Sequence, residues 1–282
     1  MIERIYKIPQ DIIGAPLASI NGLFYQSNQP LQKGKVQFAR HALIWVVQGQ
    51  KEVIGPKGIL RGTPEQLLLL PGGNILMTER QPTTGPYQSF LFFFTTEWLQ
   101  EFALPFLTKY QPEKICDGLG LIPRDNYLDH FEQSLHLLYR QNNWSQDLVE
   151  AKVREVLTYL VDYAPEKTYG FFQQALATNA HFNFRQLIAN QDLHHLTNEE
   201  RAFLCNMSVS TFKRRFAEVF QTSPQRYFIE LRMQKAQRWL QQGKLPSQIF
   251  WDLGYESLAA FSGEFKKHTG YAPSKFPGKV TF

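Results

Sequence analysis

Cysteine is nearly missing from this chain of 282 residues, which holds only Cys116 and Cys205. Two thiols cannot build a disulfide framework, so packed cores must hold the fold, as in proteins of a reducing compartment. Long apolar runs are missing too. Runs such as Leu67–Leu70 and Phe90–Phe94 have strand length, well short of the about 18 residues read as a membrane-spanning helix. The opening Met1-Ile-Glu-Arg-Ile-Tyr-Lys7 has neither the apolar core nor the small-residue cleavage site of a secretion signal. A cytoplasmic protein with no membrane contact is expected.

Catalytic chemistry also lacks its usual materials. Residues 1–120 contain one histidine, His41, and no His-x-His pair, whereas a metal site needs several converging ligands. His194 and His195 are adjacent and cannot easily face one site, so solvated or capping roles suit them. There is no glycine-rich phosphate loop and no Gly-x-Ser-x-Gly elbow. Acidic residues are scattered as surface charge. No catalytic residue, metal or cofactor is expected.

What the chain does have is unevenly distributed. The net charge is +5. Residues 181–282 carry 14 Lys and Arg against 8 Asp and Glu, while residues 1–180 carry 16 against 17. The positive excess therefore lies in the last third, the electrostatic footprint of a nucleic-acid partner.

The first hundred residues read as strands. Gly22–Tyr25, His41–Val47, Gln66–Leu70 and Tyr87–Phe94 are short apolar runs, separated by Gly49, Gly55-Pro56-Lys57-Gly58, Pro71-Gly72-Gly73-Asn74 and Pro82–Pro86. This spacing predicts a small β-barrel or sandwich. Helical periodicity then takes over. Leu128, Phe131, Leu135 and Leu138 recur on Asn126–Gln141, and Leu148, Val153, Val156, Leu157, Leu160 and Val161 on Gln146–Tyr163. The short Asn142–Ser145 connector predicts an antiparallel hairpin. The apolar stripe of the second helix is broader than one contact needs, which suggests a homodimer face within residues 124–165. Pro165 breaks the pattern, and a further short helix is expected over Tyr169–His181.

The C-terminal third reads as short, well-punctuated helices. Thr197-Asn-Glu-Glu200 is a capping box, Cys205-Asn-Met207 a tight break, and Ser208 an N-cap for Val209–Phe220. The same grammar returns at Pro246, Gly254 and Ser257 before Leu258–His268. Between the two units lies Pro224–Gln242, about 27 Å of helix at 1.5 Å per residue. That length can hold two recognition helices about one DNA turn (~34 Å) apart. A single helix-turn-helix signal is weak; two at this spacing are strong.

These residues resemble the AraC/XylS family of transcription regulators. The resemblance is carried by Leu204-Cys-Asn-Met-Ser-Val-Ser-Thr-Phe-Lys-Arg-Arg-Phe216, by Thr222-Ser-Pro224 with Leu231–Leu240, and by Ile249, Leu253-Gly-Tyr255, Ser257, Phe261, Phe265-Lys-Lys267, Gly270 and Pro273. It spans roughly Phe184 to Phe276. It implies an α+β chain of two domains. The first, residues 1–180, would be a cupin-like β-barrel (1–120) with a helical hairpin (124–165), serving regulation and dimerisation. The second, residues 181–282, would be an all-α DNA-binding domain with two helix-turn-helix units joined by a long helix.

The resemblance also implies the contacts. Ser210, Lys213 and Arg214 fall on the family's base-reading positions in the first unit, and Ser262 can reach a base edge in the second. Ser208, Thr211, Arg215, Ser257, Lys266 and Lys267 would hold the DNA backbone. In the second unit Gly263 stands where many relatives carry arginine, and Ala260 where an aromatic is common. That helix is therefore expected to anchor phosphates and touch thymine methyls with its apolar residues. Expected partners are double-stranded DNA, RNA polymerase, and either a small-molecule effector or a regulatory protein. Among the barrel aromatics, Tyr25, Trp45 and Phe92 are candidates for lining an effector pocket. The rival reading is a cupin-type enzyme or ligand-binding protein with an accessory basic DNA-binding domain.

Overall fold

A computed structural model describes residues 4–14, 17–29, 31–108, 120–177 and 195–276, together with Phe184, Leu187, Ile188 and Asn190. Cys116, His194 and the expected domain boundary at 180–181 lie outside these. The chain divides into two compact units, Met1–Phe184 and Arg185–Phe282.

The first unit is built on two five-stranded sheets. One has the order β1 (Ile5–Ile8), β3 (Gly34–Phe38), β8 (Gly73–Arg80), β5 (Gln50–Gly55) and β6 (Gly58–Gly62). The other runs β10 (Gly120–Pro123), β7 (Gln66–Leu70), β4 (His41–Gln48), β9 (Tyr87–Phe94) and β2 (Ile20–Ser27). The sheets face each other across Val36, Phe38, Val53, Ile75 and Met77 from the first and Ile44, Val46, Leu68, Leu91 and Phe93 from the second. The opposite face of the second sheet carries Leu43, Trp45, Phe90, Phe92 and Phe94, and helices cover it. Successive strand residues point to opposite faces, so a strand covered on both sides must be apolar throughout. That is why β4 and β9 read as unbroken apolar runs.

Beyond the short α1 (Gln10–Ile13) beside β1, four helices among the described residues supply the cover: α2 (Thr96–Leu107), α3 (Asn126–Arg140), α4 (Gln146–Tyr163) and α5 (Pro165–Leu176). The N-termini of α2, α3 and α4 are capped by Thr95, Asp125 and Ser145, whose side chains accept from the amides of Trp98, Leu128 and Leu148. Each such cap contributes about 1 kcal/mol. Helices α3 and α4 run antiparallel: the Tyr127 ring stacks on Tyr159 at 3.9 Å and Lys152 lies 5.0 Å from the Phe131 ring centroid.

Three expectations change here. The helix α2 falls in a stretch that the strand pattern assigned to the barrel. Helix α5 begins at Pro165 rather than Tyr169, because proline at the first helical position loses no intrahelical hydrogen bond and presets φ. The broad stripe of α4 is not a free face: Val153, Val156, Leu157, Leu160 and Val161 are buried in the core of this unit, joined there by Val149, and Leu148 alone of the stripe is half-buried. The sequence argument for a homodimer through that stripe therefore falls.

Tryptophans fasten the helices to the sheet and to one another. Trp45 Nε1 donates to Glu132 Oε2 at 2.9 Å, Trp98 Nε1 to Glu150 Oε1 at 3.1 Å, and Trp144 Nε1 to the Gly22 carbonyl at 2.7 Å. Gly22 has no side chain for a reason of space. A Cβ there would lie 2.8 Å from Val149 Cγ1 and 3.0 Å from the Phe92 ring.

The second unit is helical: α6 (Asn198–Leu204), α7 (Val209–Phe220), α8 (Pro224–Gln241), α9 (Pro246–Ile249) and α10 (Leu258–Thr269). Phe212 and Phe216 of α7 are buried, and Phe216 packs 5.7 Å from Phe228 of α8. A second cluster joins Met233 and Ala236 of α8 to Ile249, Leu253, Tyr255, Phe261 and Phe265. The long helix α8 thus seats one helix-turn-helix unit near its start and the other along its second half. Among the described residues no helix is long and apolar enough to cross a membrane.

Candidate nucleic-acid interface and effector cavity

Helix α6 starts in a complete capping box. Glu200 N donates to Thr197 Oγ1 at 3.1 Å, and Thr197 N to Glu200 Oε2 at 2.8 Å. The chain turns through Asn206 at φ 54°, a conformation that asparagine tolerates better than most residues. Ser208 then caps α7, accepting from Thr211 N at 3.2 Å, with its hydroxyl also 2.8 Å from Thr211 Oγ1 and 3.0 Å from Ser210 Oγ. The second unit repeats the arrangement. Gly254 turns at φ +79°, Ser257 accepts from Ala260 N at 3.2 Å, and α10 follows.

Burial of Phe212 and Phe216 turns the opposite face of α7 outward. Ser210, Lys213 and Arg214 are exposed on it. Arg214 approaches Glu218 only at 4.0 Å, both side chains being largely exposed. Such a surface pair contributes little and leaves the guanidinium able to turn to a ligand. Thr211 and Arg215 are half-buried at the edge of the same face. Ser208 and Thr211 are engaged in the cap, so their placement is fixed by the helix start.

Burial of Phe261 and Phe265 leaves a barer face on α10. Leu258, Ala259, Ala260 and Gly263 are exposed, Ser262 is half-buried, and nothing lies within 4 Å of a Cβ built on Gly263. Lys266 and Lys267 are exposed in the last turn. Lys267 also lines a groove of about 410 Å³ with Ser223, Arg226, Glu230, Glu264 and His268, between the start of α8 and the end of α10.

Arginine ties the two helix-turn-helix units to the long helix. Arg201 of α6 is buried and its guanidinium stacks 3.5 Å above the Phe228 ring. Burial lowers its pKa to about 9, and the nearby charge of Arg232 adds to the effect. Arg232 lies 5.5 Å from the Tyr255 ring, whose hydroxyl donates to Glu264 Oε2 at 3.1 Å.

In the first unit the structure does not bring Tyr25, Trp45 and Phe92 together. Tyr25 points between the sheets. Trp45 and Phe92 lie on the opposite face of the second sheet, fully buried beneath the helices, where Trp45 stacks on Phe131 at 5.3 Å. The aromatic content was legible, but the face each ring takes depends on strand register. The space that exists is a cavity of about 220 Å³ between the sheets. Its walls are mostly apolar, including Ile44, Met77, Leu91 and Phe93, and Tyr25, Lys51 and Glu79 line it as well.

Sequence reasoning missed Lys51 and Glu79. Both are buried and joined by an ion pair, Lys51 Nζ to Glu79 Oε1 at 2.8 Å. Strand alternation could have revealed them, since Lys51 stands two residues before inward Val53 and Glu79 two after inward Met77. Burial alone would lower the lysine's pKa, but the Glu79 carboxylate at 2.8 Å, with the Tyr87 hydroxyl beside it, outweighs burial and raises it. Burial raises the Tyr25 and Tyr87 phenols. His41 is fixed elsewhere, accepting from Gly72 N at 3.0 Å through Nδ1 and paired through Nε2 with Thr96 Oγ1 at 3.0 Å. Among the described residues no three His, Cys, Asp or Glu side chains gather as metal ligands.

Comparison with known proteins covers both units. Residues 202–278 match a helix-turn-helix domain, and residues 41–169 match the ExsA N-terminal regulatory domain. The chain is similar to a transcriptional regulator of Chromobacterium violaceum described as having an AraC-type DNA-binding domain. Identity is 30% over 28% of this chain and 72% of that one, with a TM-score of 0.26. It is similar also to the DNA-binding domain of the global transcriptional factor AdpA in complex with a target DNA. Here identity is 27% over 32% of this chain and 86% of that one, with a TM-score of 0.30. ToxT from Vibrio cholerae O395, bound to (E)-4-(8-methylnaphthalen-1-yl)but-3-enoic acid, aligns over 92% of this chain and 98% of its own. Its identity is 12% and its TM-score 0.38. No curated protein sequence matches the chain.

Proposed function

The chain belongs to the AraC family of transcription regulators, and from that premise we propose that its two helix-turn-helix units read DNA unequally under the control of its first unit. In this reading α7 carries the sequence preference. Lys213 and Arg214 donate to guanine O6 and N7, and Ser210 bonds to either base. Helix α10 contributes phosphate anchoring through Lys266 and Lys267, with Ser257 at its start and Arg215 and the Ser208–Thr211 cap doing the same beside α7. Ser262 is its one base-edge hydroxyl, and Leu258 and the alanines meet thymine methyls. The observation that carries this division is the contrast between the exposed faces: three polar side chains on α7 against Leu258, Ala259, Ala260 and Gly263 on α10.

The first unit acts as the sensor, with a small molecule between its sheets as the input, and the output is a changed approach of RNA polymerase to nearby promoters in the cytoplasm. The cavity supports a small-molecule input over a purely protein one. Selection of genomic DNA fragments by the purified protein at about 0.15 M salt tests the reading. Recovery of a few loci sharing one asymmetric motif is the expected result. Random fragments that are lost uniformly as salt rises would overturn it.

A further inference from the structure

The cavity between the sheets holds an arrangement that an apolar core does not need. Lys51 and Glu79 are each 2% exposed. Removing two charges from water is costly, and replacing a buried ion pair by apolar residues of similar volume is often neutral or stabilising. Around the pair, hydrogen-bonding capacity is left over. Glu79 Oε2 receives only a long contact from the Tyr25 hydroxyl at 3.5 Å, and the second contact of Lys51 Nζ is to Met77 Sδ at 3.4 Å. Tyr87 Oη and Ser89 Oγ, on the same inward face of β9 behind the cavity wall, are buried near one another and near Lys51, and among the described residues neither makes a hydrogen bond of normal geometry. Ser89 is the register partner of Tyr25.

The charges lining the cavity cancel. Lys51 faces Glu79 inside, and Arg4 and Asp11 are the charged residues among the other lining side chains. A carboxylate arriving at Lys51 would lie beside the Glu79 carboxylate, and a cation arriving at Glu79 beside the Lys51 ammonium. A neutral group meets neither repulsion. If it both donates and accepts, it can satisfy Glu79 Oε2 and Lys51 together. The volume of about 220 Å³ is close to that of seven water molecules at about 30 Å³ each. Ligand sites of this kind place a few polar groups on an otherwise apolar wall.

We propose that the cavity binds a small uncharged molecule whose head donates and accepts hydrogen bonds, of the primary amide or alcohol class, on a short apolar body, and that it discriminates against the corresponding carboxylate. Lys51 and Glu79 are the residues that set this preference. The inference rests on reading the first unit as the effector sensor.

Hexanamide and hexanoate test it, since they share size and apolar body and differ in charge. With the full-length protein, hexanamide at tenfold above its dissociation constant is expected to raise the melting temperature by about 3 °C or more. Hexanoate at the same concentration leaves it unchanged. Glu79→Gln removes the repulsion and turns hexanoate into a binder. The double replacement Lys51→Met with Glu79→Leu keeps the fold and loses the hexanamide response, which covers the case in which the single variant fails to fold. Hexanoate stabilising the wild type as well as hexanamide would overturn the head-group assignment while leaving the effector cavity in place. A hexanamide response that persists in the double variant would overturn the role of the pair. No response to either probe in the wild type or Glu79→Gln would overturn both the proposal and the cavity's role as the effector site, while DNA selection would still report separately on regulation.

Discussion

Gly22 and Val149 meet so closely that a single added carbon on the glycine would lie 2.8 Å from Val149 Cγ1. This contact sets how near α4 comes to β2, and the Trp144 indole bond to the Gly22 carbonyl holds the strand from the same side. Gly22→Val should therefore overpack the junction and cost about 1–3 kcal/mol. A lower urea midpoint is the expected readout. Val149→Ala in the same chain should restore part of the loss, giving a coupling energy above about 0.5 kcal/mol in a double-mutant cycle. Strict additivity would mean that the contact does not govern the docking.

His41 gives the first unit a defined acid sensitivity. Its pKa is lowered by burial to about 4, and it is held neutral by the Gly72 amide donating to Nδ1. In the unfolded chain it titrates near its ordinary value of 6.5. Between those values the unfolded state binds more protons, so stability is present above about pH 6.5 and is lost as pH falls toward 4. The full loss is about 3 kcal/mol at 1.36 kcal/mol per pKa unit. Unfolding free energies measured across this window should fall more steeply for the wild type than for His41→Gln. Parallel curves would remove the histidine from the account.

Unequal reading of DNA predicts unequal mutational signatures. Arg214→Ala should cost about 1–3 kcal/mol on the selected site and relax preference at one base pair. Lys267→Ala should weaken binding to all sequences alike and reduce the salt slope by about 1. Binding titrations on the selected and a scrambled duplex, each at several salt concentrations, separate the two. A sequence-selective loss from Lys267→Ala would contradict the proposed division.

Gly263 offers the converse experiment. A Cβ there meets nothing, and glycine within a helix costs about 0.5–1 kcal/mol relative to alanine. Gly263→Arg should therefore fold at least as stably as the wild type. It should also add a preference for guanine in the second half-site, measurable by repeating the DNA selection. Enrichment unchanged from the wild type would show that this face of α10 does not reach base edges.

The C-terminal half was the more legible in sequence because its helix boundaries are written in side chains. Thr197 with Glu200, Ser208 and Ser257 each accept the backbone amide that their position implied. The paired helix-turn-helix architecture follows from those caps and from the length of α8. The first half was legible as strands and a hairpin, but not in its details. Strands β4 and β9 are buried on both faces, so no alternation told which aromatic faced inward, and Tyr25 was grouped with Trp45 and Phe92 across the thickness of a sheet. The α4 stripe looked surplus because the sequence does not show how much of the sheet lies beneath it. Lys51 and Glu79 went unread because β5 and β8 were not among the strands read from the sequence; once those strands are placed, the parity of Val53 and Met77 turns both inward.

The second sheet is one residue thick, and its central strands belong to two compartments at once. In β4, Ile44 and Val46 border the space between the sheets while Leu43 and Trp45 touch the helical cover; in β9, Leu91 and Phe93 do the former and Phe90 and Phe92 the latter. The sheet is therefore a wall shared by the space between the sheets and the helical cover, and the Trp45–Glu132 bond ties that wall to α3.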